Sequence, residues 1–328
     1  MTSPPTPVDQ ERTASPEAGE QTVPSPARRR WRRAALRALL LGLAGTAAYG
    51  VAIERRWVEI TRHEVPLPGL PDELDGLRVV QVSDLHLGWL CRAGAVREVI
   101  ALVQGCRPDL VVLTGDFVSY RSLPQLPAAA RELGRLQARL GTYACLGNHE
   151  HWEDADQARR VLEGAGIPVL VNQSREPTPG LWVAGVDDLM AGRPDLEATA
   201  AGIPKGAAVV LLSHSPSVLP QVAGRPWLVL AGHTHGGQVA LPVLGPRGMV
   251  RLPGVPALMY AWEWVGVKAH HNRTEAICSY RYPAGWYEEG QARMYVSRGV
   301  GSHQVFPVRL NCRPEVACLV LRAGRGSR

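Results

Sequence analysis

The sequence predicts an α/β fold built on buried strands, and three observations carry that expectation. From about Arg56 onward, short apolar runs alternate with segments of helical period, as in a sheet covered on both faces. The apolar share of 45% in 328 residues is enough for a full core, in one large domain or two ordinary ones. Several of the runs also end alike, in aspartate, histidine or asparagine.

Residues 1–27 are rich in Pro, Ser, Thr and Glu and nearly lack large apolar side chains. Such a composition cannot offset the entropy of ordering, so with the neighbouring arginines it reads as a disordered tail over 1–33. A helix over 34–53 comes next. Ala38–Ile53 is uncharged and gives roughly 24 Å of helix, against the ~30 Å of a bilayer core. Counting from Ala34 lengthens it, with Arg37 able to snorkel. Three readings stand side by side: a single membrane anchor, a cleaved or uncleaved export signal with Arg29-Arg30 as a twin-arginine pair, or a helix lying on the cytoplasmic face of the membrane. For an anchor, the arginines before the apolar stretch put the domain after it on the extracytoplasmic side of the cell membrane.

The formal charge is +6, yet residues 28–56 hold eight arginines and one glutamate, so the rest of the chain sums to about −1. A local basic patch beside an apolar stretch speaks for membrane topology, and no nucleic-acid partner is expected. The six cysteines show no CxxC spacing, which excludes a sequence-readable zinc knuckle and leaves most of them as small buried apolar residues.

Within the domain at 56–322, "LRVVQVSD" (77–84) predicts a strand, "GAVREVIALVQG" (94–105) a helix and "PDLVVLTGD" (108–116) a second strand. A helix over 126–139 leads to "GTYACLGNHE" (141–150), a strand with a polar end, and "DADQARRVLEGAG" (154–166) predicts a helix. Further strands are expected at 167–171, 181–186, 207–213, 227–231, 293–297 and 315–321.

Metal-competent side chains stand at the ends of five of these runs: Asp84 and His86, Asp116, Asn148 with His149 and Glu150, His214, then His233 and His235. Ligands of open α/β sheets bind at the C-terminal ends of strands. Mixed imidazole and carboxylate donors suit Mn²⁺, Fe or Zn²⁺. Glycines around "GHTHGG" (232–237) let the backbone bend closely about an ion. A lone buried histidine is more often a satisfied core residue, but that reading does not account for five of ten histidines at strand ends.

In "SDLH" (83–86), "GD" (115–116), "GNHE" (147–150), "LSHSP" (212–216) and "GHTH" (232–235), taken in order, the chain resembles the calcineurin-like metallophosphoesterase superfamily. The resemblance implies a four-layer α/β/β/α sandwich with a dinuclear centre between the sheets. It implies one ion held by Asp84, His86, Asp116 and His235, and a second by Asp116, Asn148, His214 and His233, with Asp116 bridging. His149 matches the position that protonates the leaving oxygen or stabilises the charged transition state. Two cations roughly 3.5–4 Å apart activate a water as hydroxide and offset phosphoryl charge, so the implied reaction is phosphoester hydrolysis. "GDFVSYRS" (115–122) lacks the Asp-Arg-Gly of the serine/threonine phosphatases, whereas "GHTHGGQVALP" and "MYVSRGVGSHQVFPVRLNCRPEV" (294–316) look like the bacterial membrane-associated branch. Members of that branch are described as phosphodiesterases, some as UDP-2,3-diacylglucosamine pyrophosphatases of lipid A synthesis. The resemblance thus implies a lipid-linked or small-molecule phosphoester substrate, with a phosphomonoesterase or a catalytically silent metal-binding protein as the alternatives.

The segment between Pro256 and Tyr295 departs from the branch and holds Trp262, Trp264, Tyr280, Tyr282, Trp286 and Tyr287. It suits either a membrane interface or a hairpin packed on the second sheet. His270 and His271 read as surface residues, and Asn272-Arg273-Thr274 matches a glycosylation sequon. His151 and His303 lie near the motif blocks and are candidates to touch substrate.

Overall fold

The computed structural model describes residues 26–88, 91, 93–242, 249–251, 281–303 and 306–324. The chain opens with helix α1 (Pro26–Ala52), then β1 (Glu59–Leu67), β2 (Arg78–Val82), α2 (Ala93–Gly105) and β3 (Leu110–Thr114). Next come α3 (Leu126–Leu133), β4 (Thr142–Cys145), α4 (Asn148–Glu153), α5 (Ala155–Gly164), β5 (Gln173–Thr178) and β6 (Leu181–Gly185). The rest comprises α6 (Leu196–Ala200), β7 (Ala208–Leu212), β8 (Leu228–Ala231), β9 (Ala240–Pro242), β10 (Met249–Arg251), β11 (Gly285–Glu289), β12 (Ala292–Val296) and β13 (Glu315–Ala323).

Two large sheets form, in the orders β1-β13-β2-β3-β4 and β11-β12-β8-β7-β6-β5, and β9 and β10 make a separate antiparallel pair. Strands β2, β3 and β4 run parallel, as do β6, β7, β8 and β12. Strand period decides the layers. Along β2 and β3, Val79, Leu110 and Val112 point to the inter-sheet core, where they meet Val183, Val210, Leu212 and Leu230. Their neighbours Val80, Val111 and Leu113 point the other way, onto Val96 and Val103 of α2 and Leu126 of α3. Each such side chain contributes about 1.5–3 kcal/mol by leaving water. On the far face of the second sheet, Val209, Leu211 and Val229 pack under the helical turn Pro216–Val222, with Leu196 of α6 at its edge. The four-layer α/β/β/α architecture is therefore present, and its last layer is thin.

Helix α3 stops at Leu133 rather than running to 139. Gly134 lies against the Ala165 carbonyl at the end of α5, with no room for a side chain. The segment 167–171 is not a strand: it makes one isolated bridge, Val169 to Ala144, because Pro168 has no N–H to continue a ladder. The polar end of "GTYACLGNHE" turns into α4 at Asn148. Strand β1 went unforeseen because it is an edge strand with one exposed face and Pro66 inside it, which only an edge tolerates. β5 is likewise an edge strand without large apolar residues. Cys106, Cys145, Cys312 and Cys318 are buried, and among the described residues none of them forms a disulfide.

The chain divides into compact units Met1–Thr46 and Ala47–Arg328. Helix α1 spans about 40 Å at 1.5 Å per residue. By length and composition it is the one helix among the described residues able to cross a bilayer, with a mean hydropathy of 1.6 in its apolar window. The tail at 1–25 lies outside the described residues.

Candidate metal centre

The loops after β2, β3, β4, β7 and β8 meet at one edge of the two sheets, since parallel strands present their C-terminal ends together. Asp84, His86, Asp116, His233 and His235 all have left-handed backbones, with φ of 54°, 45°, 53°, 73° and 50°. For non-glycine residues this costs about 1–3 kcal/mol each, the kind of strain that collects at functional sites. The sharp bends thus sit on the candidate ligands themselves, and several glycines serve as clearance. A side chain on Gly147 would overlap Asp116 Oδ1 and approach His214 Cγ to 2.9 Å; one on Gly232 would overlap Ser83 Oγ and Asp84 Oδ2. Gly147→Ala is expected to cost about 1–3 kcal/mol by overpacking. Thermal unfolding checks this, and an unchanged midpoint would contradict the crowding.

Three overlapping groups of donors form, one of them His86, Asp116 and His149. Asp84, His86 and His235 bring their ligand atoms together, as do Asp116, His214 and His233. His86 Nε2 lies 2.9 Å from His235 Nε2, and His235 Nε2 lies 3.5 Å from Asp84 Oδ1. His214 Nε2 lies 3.1 Å from His233 Nδ1. Asp116 Oδ2 stands between the groups, 3.4 Å from His86 Nε2 and 3.2 Å from His214 Nε2. His149 Nε2 is 4.0 Å from the same oxygen, its ring edge-on to His86. Asn148 is buried beside them at the start of α4, and its Oδ1 finds no hydrogen-bond partner among the described residues. The seven candidate ligands and His149 are therefore all buried at one place.

Further residues hold this set in position, and nothing in the sequence assigned them that role. Glu150 is fully buried and accepts N–H bonds from Gly147 and Asp116, 2.9 Å each, and from Val118 at 3.1 Å, tying the loops after β3 and β4 together. His214 Nδ1 donates to the Thr114 carbonyl at 2.8 Å, which turns Nε2 toward Asp116. The His233 N–H donates to Asp84 Oδ1 at 3.0 Å. The buried Arg309 guanidinium donates to the carbonyls of Arg298, Gly299, Gly301 and Cys312 and lies 3.3 Å from His235 Nδ1. "HEHW" and "PVRLNC" carry these residues in plain view, but their spacing does not say that they face the site.

The end of α1 reaches the same place. The Gly50 carbonyl accepts from the Arg309 N–H at 3.3 Å. Just past the helix, buried Glu54 accepts from the Cys312 N–H at 2.8 Å, and Cys312 Sγ donates to the His235 carbonyl at 3.3 Å. Glu54→Ala, or truncation before Trp57, is expected to lower metal affinity about 10–100-fold, the usual effect of losing an outer support. Calorimetric Mn²⁺ titration reads it; affinity equal to the full chain's would contradict it.

The charge state fits metal binding. Burial, with His149 beside it, holds His86 well below the usual imidazole pKa; burial and His86 do the same for His235, and burial with His214 brings His233 to about 3. These imidazoles are neutral, as ligands must be. Burial pushes Asp116 up, but His214, His149 and His86 outweigh it and keep the carboxylate ionised. Burial raises Asp84 to about 7; it lowers His214, but Asp116 outweighs it and leaves His214 well above its ordinary value. Neutral ring nitrogens packed tip to tip, an ionised carboxylate between them and an orphaned buried amide oxygen are a donor set suited to divalent ions.

A raised pKa means a proton present at neutrality, so an ion entering the metal-free protein must displace protons from Asp84 and His214. Affinity should climb as pH rises through about 7 and fall below it, about tenfold per unit for each proton released. Mn²⁺ titrations at several pH values in weak buffer check this; binding without proton release contradicts it.

The other candidates fare differently. His151 Nε2 is committed to Asp187 Oδ1 at 2.8 Å and anchors the loop after β6. His303 is buried near His86 and His235, its N–H on Gln238 Oε1 at 2.8 Å. Trp286 and Tyr287 belong to the hairpin of β11 and β12 and buried Tyr282 just precedes it, with Trp286 Nε1 donating to His63 Nδ1 at 3.3 Å, so this part of the aromatic segment is packed on the sheet. Trp262, Trp264, Tyr280, His270, His271 and Asn272–Thr274 lie outside the described residues.

A family model for calcineurin-like phosphoesterases matches residues 77–237. Phosphodiesterase YaeI of Escherichia coli is 30% identical over 300 residues, covering 88% of this chain and 98% of the relative. The uncharacterized metallophosphoesterase YkuE of Bacillus subtilis is 29% identical over 296 residues, covering 88% and 94%. UDP-2,3-diacylglucosamine pyrophosphatase LpxG of Chlamydia trachomatis is 25% identical over 258 residues, covering 64% and 78%.

Proposed function

The chain belongs to the calcineurin-like phosphoesterase family, and on that premise we propose that it is a membrane-anchored hydrolase cutting phosphodiester or pyrophosphate bonds with two divalent ions. The observation that carries this reading is the position of Asp116 Oδ2, within 3.4 Å of His86 Nε2 and 3.2 Å of His214 Nε2. One carboxylate oxygen shared by two donor groups suits a bridging ligand.

In this reading Asp84, His86, Asp116 and His235 hold one ion, and Asp116, Asn148, His214 and His233 hold the other. Mixed nitrogen and oxygen donors accept Mn²⁺, Fe or Zn²⁺. When bound, such ions supply Lewis acidity and lower the pKa of water. The chain's own part is positional. Asp116 is oriented by the His149 N–H, which donates to Oδ1 at 3.1 Å. His149, packed at a tilt against Trp152 and edge-on to His86, gives a proton to the departing oxygen or stabilises its charge.

The name of the Escherichia coli relative supports a diester, and that of the Chlamydia relative a lipid-linked pyrophosphate. An apolar helix joined to the site suits a substrate that stays in a bilayer. The arginines before α1 favour an extracytoplasmic domain.

The test uses the full chain in neutral detergent with Mn²⁺, comparing UMP release from UDP-2,3-diacylglucosamine with hydrolysis of bis(p-nitrophenyl) phosphate and p-nitrophenyl phosphate. Diester or pyrophosphate turnover should exceed monoester turnover. Preference for the monoester would overturn the substrate class, and rapid UMP release would overturn the orientation read from the arginines.

A further inference from the structure

A cavity of about 290 Å³ lies at the foot of α1, apart from the donor groups but sharing a wall with them. Arg55 and Arg56 line it, with Glu98 the one acidic side chain. Val58, Cys91, Val99 and Val300 make an apolar side to it. Arg55 Nε is spent on the Val51 carbonyl at 3.1 Å, whereas its remaining guanidinium nitrogens and those of Arg56 have no hydrogen-bond or ion-pair partner among the described residues. The shared wall is the turn Val300–Ser302: the Val300 N–H donates to the Ser83 carbonyl at 2.9 Å and the Gly301 N–H to the Asp84 carbonyl at 2.7 Å.

The surroundings are those of a membrane interface. Ile53 and Trp57 are each 52% exposed, and Arg313 stands 3.7 Å over the Trp57 ring. A tryptophan and arginines at the end of an apolar helix mark headgroup level.

We propose that this cavity is a binding site for one anionic phospholipid, its phosphate on Arg55 and Arg56 and the start of its chains against Val58, Val99 and Val300. The proposal rests on α1 being a membrane helix, but not on the phosphoesterase chemistry. Two guanidiniums facing an apolar wall match a phosphate joined to a hydrocarbon; a free anion has no use for the wall, and a neutral lipid none for the charges. The volume, near the lower end for ligand pockets, takes a glycerol phosphate with the first few methylenes. Occupancy would brace the turn at Val300–Ser302, and through it the Asp84 loop.

The test is native mass spectrometry of the full chain, stripped of metal with chelator so that the donor groups take no part. The chain is carried in neutral detergent with equimolar phosphatidylglycerol and phosphatidylcholine. One phosphatidylglycerol should be retained per chain in preference to phosphatidylcholine. Retention should fall about tenfold or more in Arg55→Gln/Arg56→Gln. Ala95→Phe, which fills the cavity without touching charge, should lower it likewise, with unfolding midpoints confirming that both variants fold. Arg29→Gln/Arg30→Gln should leave it unchanged. Retention that survives Ala95→Phe, that falls with Arg29 and Arg30, or that millimolar inorganic phosphate abolishes would overturn the proposal. Loss of binding in this assay would leave the phosphoesterase reading standing, since no turnover is measured.

Discussion

Asp116→Asn is expected to leave the full chain with little bound metal and to lower turnover of bis(p-nitrophenyl) phosphate by ~10³-fold or more. Position sets the size of the effect. Asp116 Oδ2 is near both His86 and His214, and the negative charge is what holds His214 protonated and the site poised for cations. An amide at 116 removes that charge and presents an oxygen of weaker donor power to both groups. The substitution is nearly isosteric and the His149 N–H can still donate to the amide oxygen, so the fold should persist. Metal analysis of the dialysed variant separates the causes: wild-type metal content with wild-type turnover would remove Asp116 from the centre altogether.

His149→Asn should behave in the opposite manner toward metal. Its backbone N–H orients Asp116 and is unaffected by the change, so two ions should still bind. Turnover should fall about 10²–10⁴-fold, the range for losing a positioned proton donor. The loss should shrink for a diester whose leaving group needs no proton, such as p-nitrophenolate, and be largest for an alkyl leaving group. The imidazole edge is 4.0 Å from Asp116 Oδ2, which also allows it to act as a ligand. Metal content decides between the roles: a variant that loses an ion along with activity makes His149 a ligand, and one that keeps both ions while losing activity makes it the proton donor.

The fold and candidate ligands were legible for the same reason: buried parallel strands are continuous apolar runs, and their polar ends stand out. "LVVLTGD" and "LVLAGHTH" announce both the strand and the polar residues at its end. Edge strands lack that contrast, so β1, with Pro66 in it, was invisible. The helix expected over 126–139 was cut short by a contact with Ala165 that no local pattern reveals. At the site, residue identity was readable and backbone conformation was not. "GHTHGG" suggested that glycine supplies the bends; Gly236 and Gly237 do take left-handed backbones, with φ of 64° and 73°, but so do His233 and His235, while Gly232 makes space for Asp84. The supports Glu54 and Arg309 escaped notice, and Glu150 was noted only as metal-competent, because each acts across a long sequence separation: Glu54 meets Cys312, Glu150 meets Asp116, and Arg309 meets His235.

The strain at those five residues has a consistent physical reading. Left-handed backbones, tip-to-tip imidazoles and a carboxylate raised to about 7 are each unfavourable in a metal-free protein. Bound divalent ions would turn the crowded lone pairs into ligand bonds and stabilise the charged form of Asp84, so metal binding should raise the unfolding temperature as well as enable turnover.

The central claim is that two ions act together on one phosphoester. The measurement that tests it most directly is a titration of chelator-stripped full chain with Mn²⁺, tracking hydrolysis of bis(p-nitrophenyl) phosphate against equivalents of metal bound. Activity should stay low through the first equivalent and reach its plateau at two per chain. A plateau at one equivalent, or two bound ions with no turnover of any phosphoester, would contradict it.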